Sequence, residues 1–309
     1  MTTPLLVLTG PTGVGKTAAA VALGRRVPIE VVSADSRQVY RGMDAATGKP
    51  TAAERRAVPH HLIDVVNPDD RYHAARFRAD AEAAIAGVRA RDRLPVVVGG
   101  TGLYVRALLR GLDPAPPADP VFRRELESVA AREGRGALHA RLTTVAPSVA
   151  SRLHPNDEVR VVRALERARA GADAGRAWTA PPRRDGVIWL GLTLDRTALD
   201  ARLRARAAAM VDAGLLDECR ALLGRGFDPG LPAMLGIGYR EFVGVALGRL
   251  DADEALRRMQ RDTLRYARKQ WTWFRREPEI DWLDAAAAGG SEGVAAAIER
   301  RLQRAGAVA

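Results

Sequence analysis

The chain has 309 residues, which is enough for one large or two smaller domains whose cores need no disulfide support. Its single cysteine, Cys219, excludes a disulfide framework and a zinc site built from cysteines, and it suits a reducing cytoplasm. The formal net charge of +11 indicates a polyanionic partner such as nucleic acid, although a generally basic surface gives the same total. We find neither a signal-peptide pattern nor a run long enough to span a bilayer, so we expect a cytoplasmic protein without a membrane segment.

A short apolar run at residues 5–9 predicts the first strand, and a phosphate-loop motif follows it directly. The motif comprises Gly10, Pro11, Thr12, Gly13, Val14, Gly15, Lys16 and Thr17. Its glycines let the backbone fold around an anion, and successive N–H groups at the start of the next helix supply positive potential. The Lys16 ammonium would reach phosphoryl oxygens and the Thr17 hydroxyl would hold Mg²⁺, so the motif predicts a di- or triphosphate site.

Further apolar runs rich in β-branched residues predict strands at 28–34, His61–Val66 and Leu94–Val98. The helices Ala18–Arg26 and Ala74–Arg91 lie between them. Strands that alternate with helices favour a mostly parallel sheet flanked by helices, with ligands beyond the carboxyl ends of the strands. The loops that should line one crevice there are Gly10–Thr17, Asp35–Tyr40 and Gly99–Tyr104.

The pattern changes after Leu112, where the proline-rich break Asp113–Pro120 begins. The residues that follow are charged and helical in pattern, and no convincing strand interrupts them. Gly171–Gly175 and Pro181-Pro182 close this stretch. We interpret residues 113–185 as a helical insertion domain within an α/β core.

The run Val187–Leu194 predicts a strand that rejoins the sheet, so the core consists of residues 1–112 and 186–309. The remainder is predicted as helices at Thr197–Gly224, Arg240–Gly248 and Ala252–Arg276, followed by a small tail rich in alanine and glycine. The predicted fold class is therefore α/β: a P-loop core with a mostly parallel sheet flanked by helices, plus a helical insertion domain.

Nucleotide-hydrolysing P-loop enzymes usually have an aspartate at the end of a second strand, where it positions the metal-bound water. The acid that faces the predicted crevice here lies elsewhere. The run Leu94–Val98 leads into Gly99–Tyr104, which contains no acid, and the acid comes instead from Asp35 after another strand. Position alone leaves three roles open for Asp35: proton abstraction from a nucleophile beside a leaving diphosphate, Mg²⁺ binding, or the capping of a helix.

Lysine is rare in this chain, since 45 of its 48 basic residues are arginine. Where arginine is so strongly preferred, a remaining lysine indicates a place that needs a compact ammonium. Lys16 fits this idea, and Lys49 and Lys269 become candidates. His60 and His61 have no third ligand in view, which favours a structural role over metal binding.

Eight motifs occur in the order expected of tRNA dimethylallyltransferases, and the chain resembles that family over about residues 5 to 283. They read G-P-T-x-x-G-K-T, S-A-D-S-R-Q-V-Y-R-G-M-D, G-K-P-T, P-H-H-L-I-D, G-G-T-G-L-Y, H-P-N-D, G-I-G-Y-R-E and R-K-Q-W-T-W-F-R. Gly13-Val14 replaces the usual Ala-Ser, and Ala45–Gly48 replaces the more common Ile-Gly-Thr-Ala. Neither departure removes a group with a chemical role. Animal and fungal members often carry a C-terminal zinc finger, which a single cysteine cannot form, so the chain resembles the bacterial members.

The resemblance implies transfer of the prenyl group of dimethylallyl diphosphate to the exocyclic N6 amine of the adenosine at position 37, beside the anticodon, in tRNAs that read codons beginning with U. It implies that Asp35 is the general base and that Thr101 donates a hydrogen bond to the oxygen between prenyl group and diphosphate. Lys16, Thr17 with Mg²⁺, and an arginine would stabilise the charge that appears as the allylic bond breaks. Arg206, on a predicted helix, aligns best with that arginine, although a solvated arginine on such a helix is the alternative.

Three regions are candidates for RNA contact. Arg160, Arg163 and Arg167 form a basic stripe on one helix face within the insertion, and aromatic and basic residues alternate near the C-terminus. The third region is Leu235–Arg240, whose glycines at 236 and 238 allow close approach of the backbone to RNA. For the basic stripe, a face that is merely solvated remains the alternative. In the C-terminal segment Trp271 and Trp273 cannot share a helix face, and we expect Trp273 to pack in the core. With the resemblance, the predicted tRNA-binding residues are Asp35, Ser36, Arg37, Gln38, Thr101, Arg123, Val159, Arg160, Val161, Val162, Arg163, Gly236, Gly238, Tyr239, Arg240, Arg268, Lys269, Gln270, Trp271 and Arg275.

Two other functions compete with this interpretation. A small-molecule or nucleoside kinase also begins with strand, P-loop and helix, but it would use ATP and ignore dimethylallyl diphosphate. A non-catalytic RNA-binding protein with a vestigial P-loop is disfavoured by the intact Lys16-Thr17 pair together with Asp35 and Thr101. The expected partners are dimethylallyl diphosphate and the tRNA anticodon stem-loop, and we expect a monomer.

Overall fold

The computed structural model describes residues 4–112, 119–134, 136–171 and 184–308. The strands within these residues are β1 (Leu5–Thr9), β2 (Ile29–Ser33), β3 (His60–His61), β4 (Leu94–Gly99), β5 (Val187–Thr193) and β6 (Asp281–Asp284). The helices are α1 (Lys16–Gly24), α2 (Ala52–Ala57), α3 (Ala74–Arg89), α4 (Gly102–Arg110), α5 (Pro120–Glu133), α6 (Gly136–Val145), α7 (Pro147–Ala150), α8 (Glu158–Arg169), α9 (Arg196–Asp212), α10 (Leu215–Gly224), α11 (Tyr239–Ala246), α12 (Ala252–Phe274) and α13 (Gly290–Arg304).

The strands form one sheet in the order β3-β2-β4-β1-β5-β6, and every pair in it is parallel. Every residue of β1, β2 and β4 is buried. Such strands must be apolar on both faces because helices cover both sides of a parallel sheet. The predicted α/β class with a parallel sheet flanked by helices is therefore confirmed.

The C-terminal part of the chain is a structural element and not the small tail that we predicted. Residues 290–304 form α13, which packs against α1 beside the sheet. Its buried residues are Val294, Ala295, Ala297, Ile298 and Leu302. The prediction failed because alanines hide the 3.6-residue apolar period that would otherwise reveal this helix.

Two further predicted elements differ from the structure. The strand predicted at His61–Val66 is only β3, because Leu62 and Asp64 adopt left-handed backbone angles (φ 62° and 58°) that interrupt extended pairing. The helix predicted at Thr197–Gly224 is two helices, α9 and α10. They are separated at Gly214, whose φ of 97° ends one helix and begins the next.

The chain divides into two compact units, Met1–Arg110 with Arg183–Ala309 and, separately, Gly111–Pro182. The described part of the second unit contains α5 to α8 and no strand. It has a hydrophobic core of its own, built around Leu126, Leu142, Val161 and Leu165. Of the boundary signals, residues 113–118, 172–175 and 181–182 lie outside the described residues.

Thirteen helices lie in the described ranges. None of the helices there combines the length and the apolar composition that crossing a bilayer requires.

Candidate active site

The candidate site lies where three neighbouring strands end. Because β2, β4 and β1 are adjacent and parallel, the loops that follow them meet at one edge of the sheet. These loops carry the phosphate-loop motif, Asp35 and Thr101. Sequence reasoning predicted this crevice, and the strand order explains it.

The phosphate loop connects β1 to the first turn of α1. Gly13 lies in the left-handed region with φ 79°, and a Cβ there would come 2.6 Å from Cδ2 of Leu203 on α9. A side chain at this position would therefore need a less favourable backbone angle and a shift of the end of the Leu203 side chain. The first N–H groups of α1 have no acceptor within their own helix and carry the positive end of its dipole, so the loop presents donors to an anion.

Lys16 extends along the loop that carries it. Its ammonium donates to the carbonyl oxygens of Gly10 and Pro11, at 2.9 and 2.8 Å. Burial lowers the pKa of Lys16 to about 8, an effect opposed by nearby Asp35 and reinforced by Arg206. A negative ligand beside this ammonium would raise the pKa again, so Lys16 is suited to bind an anion.

Asp35 caps a turn with one oxygen of its carboxylate. Oδ1 accepts hydrogen bonds from the backbone N–H groups of Arg37 and Gln38, at 2.8 and 3.3 Å. The turn that it caps is not a helix, so the helix-capping alternative does not describe its position. Asp35 also lines two cavities, described below, which leaves its carboxylate available for chemistry at their junction.

Thr101 lies between β4 and α4, close to the same turn. Its Oγ1 accepts a hydrogen bond from the Ser36 backbone N–H at 3.1 Å and donates to the Ser36 hydroxyl at 3.5 Å. Burial, with Asp35 as the second cause, raises the pKa of Tyr266 to about 12. The phenol therefore stays protonated near neutral pH, and Tyr266 lines the same cavities as Asp35.

Arg206 projects from α9 into the same region. Burial and the neighbouring Arg202 lower its pKa, whereas Asp35 acts in the opposite sense. The guanidinium nevertheless stays charged at any physiological pH. It adds a second fixed cation to the one that Lys16 provides.

Two cavities meet at this point. The first, of about 450 Å³, contains the phosphate loop with Lys16 and Thr17, and the second, of about 260 Å³, opens beside Arg37 and Leu235. Six residues line both cavities: Thr12, Asp35, Thr47, Arg206, Met210 and Tyr266. The arrangement can hold an anionic group in the first cavity while a second reactant approaches Asp35 from the other.

The donors in the first cavity suit a Mg²⁺ ion that is bound mainly by the substrate and by water. No cluster of three or more His, Cys, Asp or Glu residues that could hold a metal occurs in the described ranges. The Thr17 hydroxyl and the Asp35 carboxylate both line this cavity. Mg²⁺ usually retains waters and binds through substrate phosphates with one or two protein oxygens, and this donor set fits that mode.

Several predicted RNA-binding residues lie in the interior. Tyr239 is 1% exposed and its hydroxyl donates to Glu218 at 2.5 Å, and Val161 is 0% exposed in the core of the second unit. Their side chains pack inside the protein, so the prediction that these two side chains contact RNA directly is wrong. Gly236 and Gly238 are also buried. The G-I-G-Y motif does not reveal from spacing alone that its tyrosine turns inward.

Gln270 was also predicted to contact RNA, but its amide is engaged within the protein. Its Oε1 accepts from the Thr12 backbone N–H at 2.9 Å, and its Nε2 donates to the Gly100 carbonyl at 2.8 Å. It is 6% exposed. Gln270 therefore connects α12 to the phosphate loop and to the loop after β4, which is a structural role that the sequence did not indicate.

Two arginines predicted to contact RNA hold a buried carboxylate in the second unit. Arg123 donates to both oxygens of Glu166, at 2.7 and 3.0 Å, and Arg163 donates to the same carboxylate at 2.9 Å. Glu166 is 4% exposed, and these hydrogen bonds outweigh its burial and lower its pKa to about 2. In contrast, Val159 and Arg160 on the same helix are exposed and Val162 is half-buried.

The predicted aromatic and basic segment lies on α12 and just after it. Trp271 packs edge-on against Trp282 with ring centroids 4.8 Å apart, and Trp273 lies against Gly102 at the start of α4. Both tryptophans are half-buried, so packing is not confined to Trp273. The exposed basic residues of this segment include Arg268, Lys269 and Arg275.

Around Asp35, two predicted RNA-binding side chains also have protein partners. Arg37 donates to the Pro232 carbonyl at 2.7 Å, and Gln38 bonds both Ser33 and the Gly48 carbonyl. Arg240 pairs with Glu241 and Asp262 at the mouth of the second cavity.

Sequence reasoning missed three residues that line the first cavity. Tyr266 and Thr47 carried no motif of their own. Lys49 was noted as a rare lysine and lies in the G-K-P-T motif, but no role was predicted for it. Its ammonium donates to the Tyr40 carbonyl and to the Asp44 and Asp64 carboxylates, at 2.6, 2.6 and 2.5 Å. Three acceptors around one compact donor are what the lysine argument anticipated.

Fold and site together define a class: α/β proteins that have a P-loop and a carboxylate at the end of another strand of the same sheet. Two family models match the chain, one described as IPP transferase over residues 38–277 and one described as isopentenyl transferase over residues 3–64. The first match spans well over half of the sequence. The chain belongs to the IPP transferase family.

Relatives and solved structures agree with this assignment. A tRNA dimethylallyltransferase of Anaeromyxobacter sp. (strain K) is 53% identical over 282 residues, which is 90% of this chain and 92% of that protein. The crystal structure of a tRNA isopentenylpyrophosphate transferase from Bacillus halodurans aligns with a TM-score of 0.71 at 36% identity, over 98% of this chain and 97% of that one. A eukaryotic dimethylallyltransferase solved while acting on tRNA aligns with a TM-score of 0.73 at 27% identity, over 91% and 73% of the two chains.

These findings confirm the resemblance, the fold class and the enzyme class predicted from the sequence. They do not favour the kinase alternative, because relatives and structural neighbours alike are tRNA prenyltransferases.

Proposed function

We propose that this chain transfers the dimethylallyl group of dimethylallyl diphosphate to the N6 amine of the adenosine at position 37, beside the anticodon, in tRNAs that read codons beginning with U. The names of its relatives supply the substrate classes. The observation that carries the proposal is geometric. Asp35 and Arg206 line both cavities, whereas Lys16 and Thr17 line the first and not the second.

The diphosphate binds in the first cavity, against the phosphate loop. Lys16 and Arg206 neutralise its charge, which increases on the leaving oxygens as the allylic C–O bond breaks. Thr101 donates a hydrogen bond to the oxygen between prenyl group and diphosphate. Such preorganised charges are commonly the largest catalytic contribution, about 3–4 kcal/mol for a well-directed donor.

The adenine enters from the second cavity, with its N6 amine directed at Asp35. The nitrogen lone pair attacks the allylic carbon, a C–N bond forms, and the C–O bond to diphosphate breaks. The Asp35 carboxylate takes the proton that the amine loses. Since one oxygen of Asp35 is held by backbone N–H groups, the carboxylate keeps its orientation during this step.

Mg²⁺ would be held by the Thr17 hydroxyl together with the phosphate oxygens of the substrate. When bound, the ion supplies positive charge that stabilises the leaving diphosphate. Thr17 orients this end of the substrate from the first turn of α1, where it lines the same cavity as Lys16.

Access to the amine requires the adenine to leave its stack, which costs a few kcal/mol that tRNA contacts must offset. The exposed residues of the predicted RNA-contacting set supply such contacts, and they include Arg160, Arg268 and Lys269. Exposed basic side chains bind phosphates without reading sequence. The protein acts as a monomer in the cytoplasm, where its tRNA substrate is found.

Incubation of the full chain with labelled dimethylallyl diphosphate, Mg²⁺ and unmodified tRNA tests the proposal. We expect label in the RNA and release of one diphosphate for each prenyl group transferred. A tRNA with guanosine in place of the target adenosine is the matched control and should stay unlabelled. Phosphate release from ATP without labelled RNA would contradict the proposal and support the kinase alternative.

A further inference from the structure

A second arginine of α9 lies beside the phosphate loop. Arg202 precedes Arg206 by about one helical turn, so the two side chains project from the same side of the helix. The Nη1 atom of Arg202 lies 3.8 Å from the position that a Cβ on Gly15 would take. Arg202 lines the first cavity and not the second, whereas Arg206 lines both. The two arginines therefore reach different parts of one site.

The side chain of Arg202 has no protein partner that would explain its position. It makes no hydrogen bond or ion pair with the residues that the structure describes, although a guanidinium carries several N–H donors. On the neighbouring helix α12, the exposed arginines Arg257 and Arg268 pair with Glu254 and Asp200. An arginine that lines a cavity with its donors unused is suited to bind an anionic ligand there.

The charges around the first cavity are unbalanced. Of the Lys, Arg, Asp and Glu side chains that line it, Lys49 and Glu54 already have partners within the protein. The others are three cations and one carboxylate: Lys16, Arg202, Arg206 and Asp35. After burial, repulsion by Arg202 is what lowers the pKa of Arg206, so these like charges lie close enough to act on each other. A multiply charged anion would neutralise the excess.

The position of Arg202 indicates which phosphate group it reaches. The bond that breaks lies near Asp35, at the junction of the two cavities, because the adenine amine meets the allylic carbon there. Arg206 lines both cavities and is placed beside the phosphate that adjoins this bond. The distal phosphate lies further into the first cavity, on the side that Arg202 and Gly15 line.

We propose that Arg202 binds the distal phosphate of dimethylallyl diphosphate, whereas Arg206 stabilises the phosphate next to the breaking bond. This division of roles rests on the proposed function, which supplies the position of the diphosphate. A contact with the distal phosphate is made before and during bond breaking alike, so Arg202 contributes to affinity for the donor. Arg206 contributes to the rate, because charge increases at the leaving oxygen only as the bond breaks.

Binding of inorganic pyrophosphate with Mg²⁺ to the full chain, measured by calorimetry, is the first test. We expect Arg202→Ala to weaken binding by about tenfold or more, since charge-assisted hydrogen bonds to one phosphate are lost. Arg202→Lys keeps the charge and should stay within about threefold of the wild type. Arg204 is the matched control, because it is exposed on the same helix and lines neither cavity. Arg204→Ala should leave the affinity within about twofold.

Steady-state transfer to tRNA is the second test and separates the two arginines. We expect Arg202→Ala to raise the KM for dimethylallyl diphosphate by about tenfold while kcat stays within about threefold of the wild type. Arg206→Ala should lower kcat by about 10²-fold or more, as the loss of a donor directed at developing charge does.

A pyrophosphate affinity of Arg202→Ala equal to that of Arg204→Ala would overturn the inference. A fall in kcat with an unchanged KM would also overturn it, because Arg202 would then act at the breaking bond. Pyrophosphate binding does not require prenyl transfer, so failure of the proposed function would show separately. It would appear as unlabelled tRNA while Arg202→Ala still weakens pyrophosphate binding.

Discussion

At the scale of single residues, the two oxygens of Asp35 have different surroundings. One oxygen accepts two backbone N–H groups, which is a common way for aspartate to close a turn. The side chain also lines both cavities, next to Arg206 and Tyr266. An ordinary turn-capping aspartate has no reason to lie at the junction of two cavities, so this placement favours the role of a base.

Asp35→Asn tests that role directly. An amide cannot accept the proton of the N6 amine, so we expect the rate of prenyl transfer to fall by about 10²–10⁴-fold. The substitution keeps the turn, because the amide oxygen still accepts the two backbone N–H groups. Affinity for tRNA, measured by filter binding, should stay within about threefold, and a transfer rate equally close to that of the wild type would contradict the assignment.

Lys16 leads to a prediction about pH. Its pKa of about 8 means that the ammonium is charged below pH 8 and neutral above it. Pyrophosphate binding raises this pKa, so the contribution of Lys16 to affinity is complete below pH 8 and declines about tenfold per pH unit above it. Isothermal titration calorimetry between pH 7 and pH 9.5 measures the decline.

Lys16→Arg is the control for the ligand, because pyrophosphate titrates identically with both proteins while the guanidinium stays charged. We expect weaker binding overall, since the planar fork fits the loop less well than an ammonium does. The additional alkaline decline of the wild type should be absent from this variant. Parallel pH profiles for the two proteins would show that Lys16 does not titrate in this range.

At the scale of elements, the phosphate loop depends on helices that are distant in sequence. Gln270 on α12 holds Thr12, Leu203 on α9 contacts Gly13, and α13 packs on α1 behind the loop. The motif alone suggests a self-contained strand, loop and helix. The structure shows that three later helices fix its position.

Ile298 on α13 is fully buried against the core of the first unit. Ile298→Ala removes three carbon atoms and leaves a cavity, so we expect the free energy of unfolding in urea to fall by about 2–5 kcal/mol. Arg300→Ala, at an exposed position on the same helix, should change it by less than about 0.5 kcal/mol. Equal stability of Ile298→Ala and the wild type would mean that α13 is not part of the core.

Elements with a strong local pattern were predicted well, and elements defined by tertiary contacts were not. The mostly apolar strands β1, β2 and β4 and the loops after them were apparent from the sequence, because burial on both faces favours apolar residues at most positions of a strand. The helix α13 was missed because its alanines carry no clear period. The amide of Gln270 has no local signal at all, since its partners lie 170 and 258 residues away.

At the scale of the whole molecule, some of the arginines are neutralised by carboxylates of the protein and others are not. Many arginines that contribute to the net charge of +11 already pair with carboxylates, as Arg123 and Arg163 do with Glu166. Charge along the sequence therefore overstates the number of cations that RNA can reach. Arg160 is exposed, whereas Arg163 on the same helix holds a buried carboxylate. The position of the two arginines in the sequence did not predict this difference, because it depends on Glu166 one turn further on.

Arg160→Gln should weaken tRNA binding by about the same factor for every tRNA, because a phosphate contact carries no sequence information. It should also make the slope of log affinity against log salt shallower by about 0.7–0.9, the value for one lost phosphate contact. Arg300→Gln, outside all predicted RNA-contacting segments, should leave the slope unchanged. An unchanged slope for Arg160→Gln would remove that residue from the RNA surface.

The central claim is that the phosphate loop holds the departing diphosphate while Asp35 receives the proton of an extruded adenosine. The most direct measurement is a crystal structure of the full chain with tRNA, Mg²⁺ and an unreactive analogue of dimethylallyl diphosphate. The account predicts the diphosphate on the phosphate loop beside Lys16, with a carboxylate oxygen of Asp35 within about 3.2 Å of the adenosine N6 nitrogen. A diphosphate bound elsewhere, or an adenosine amine out of hydrogen-bonding reach of Asp35, would contradict it.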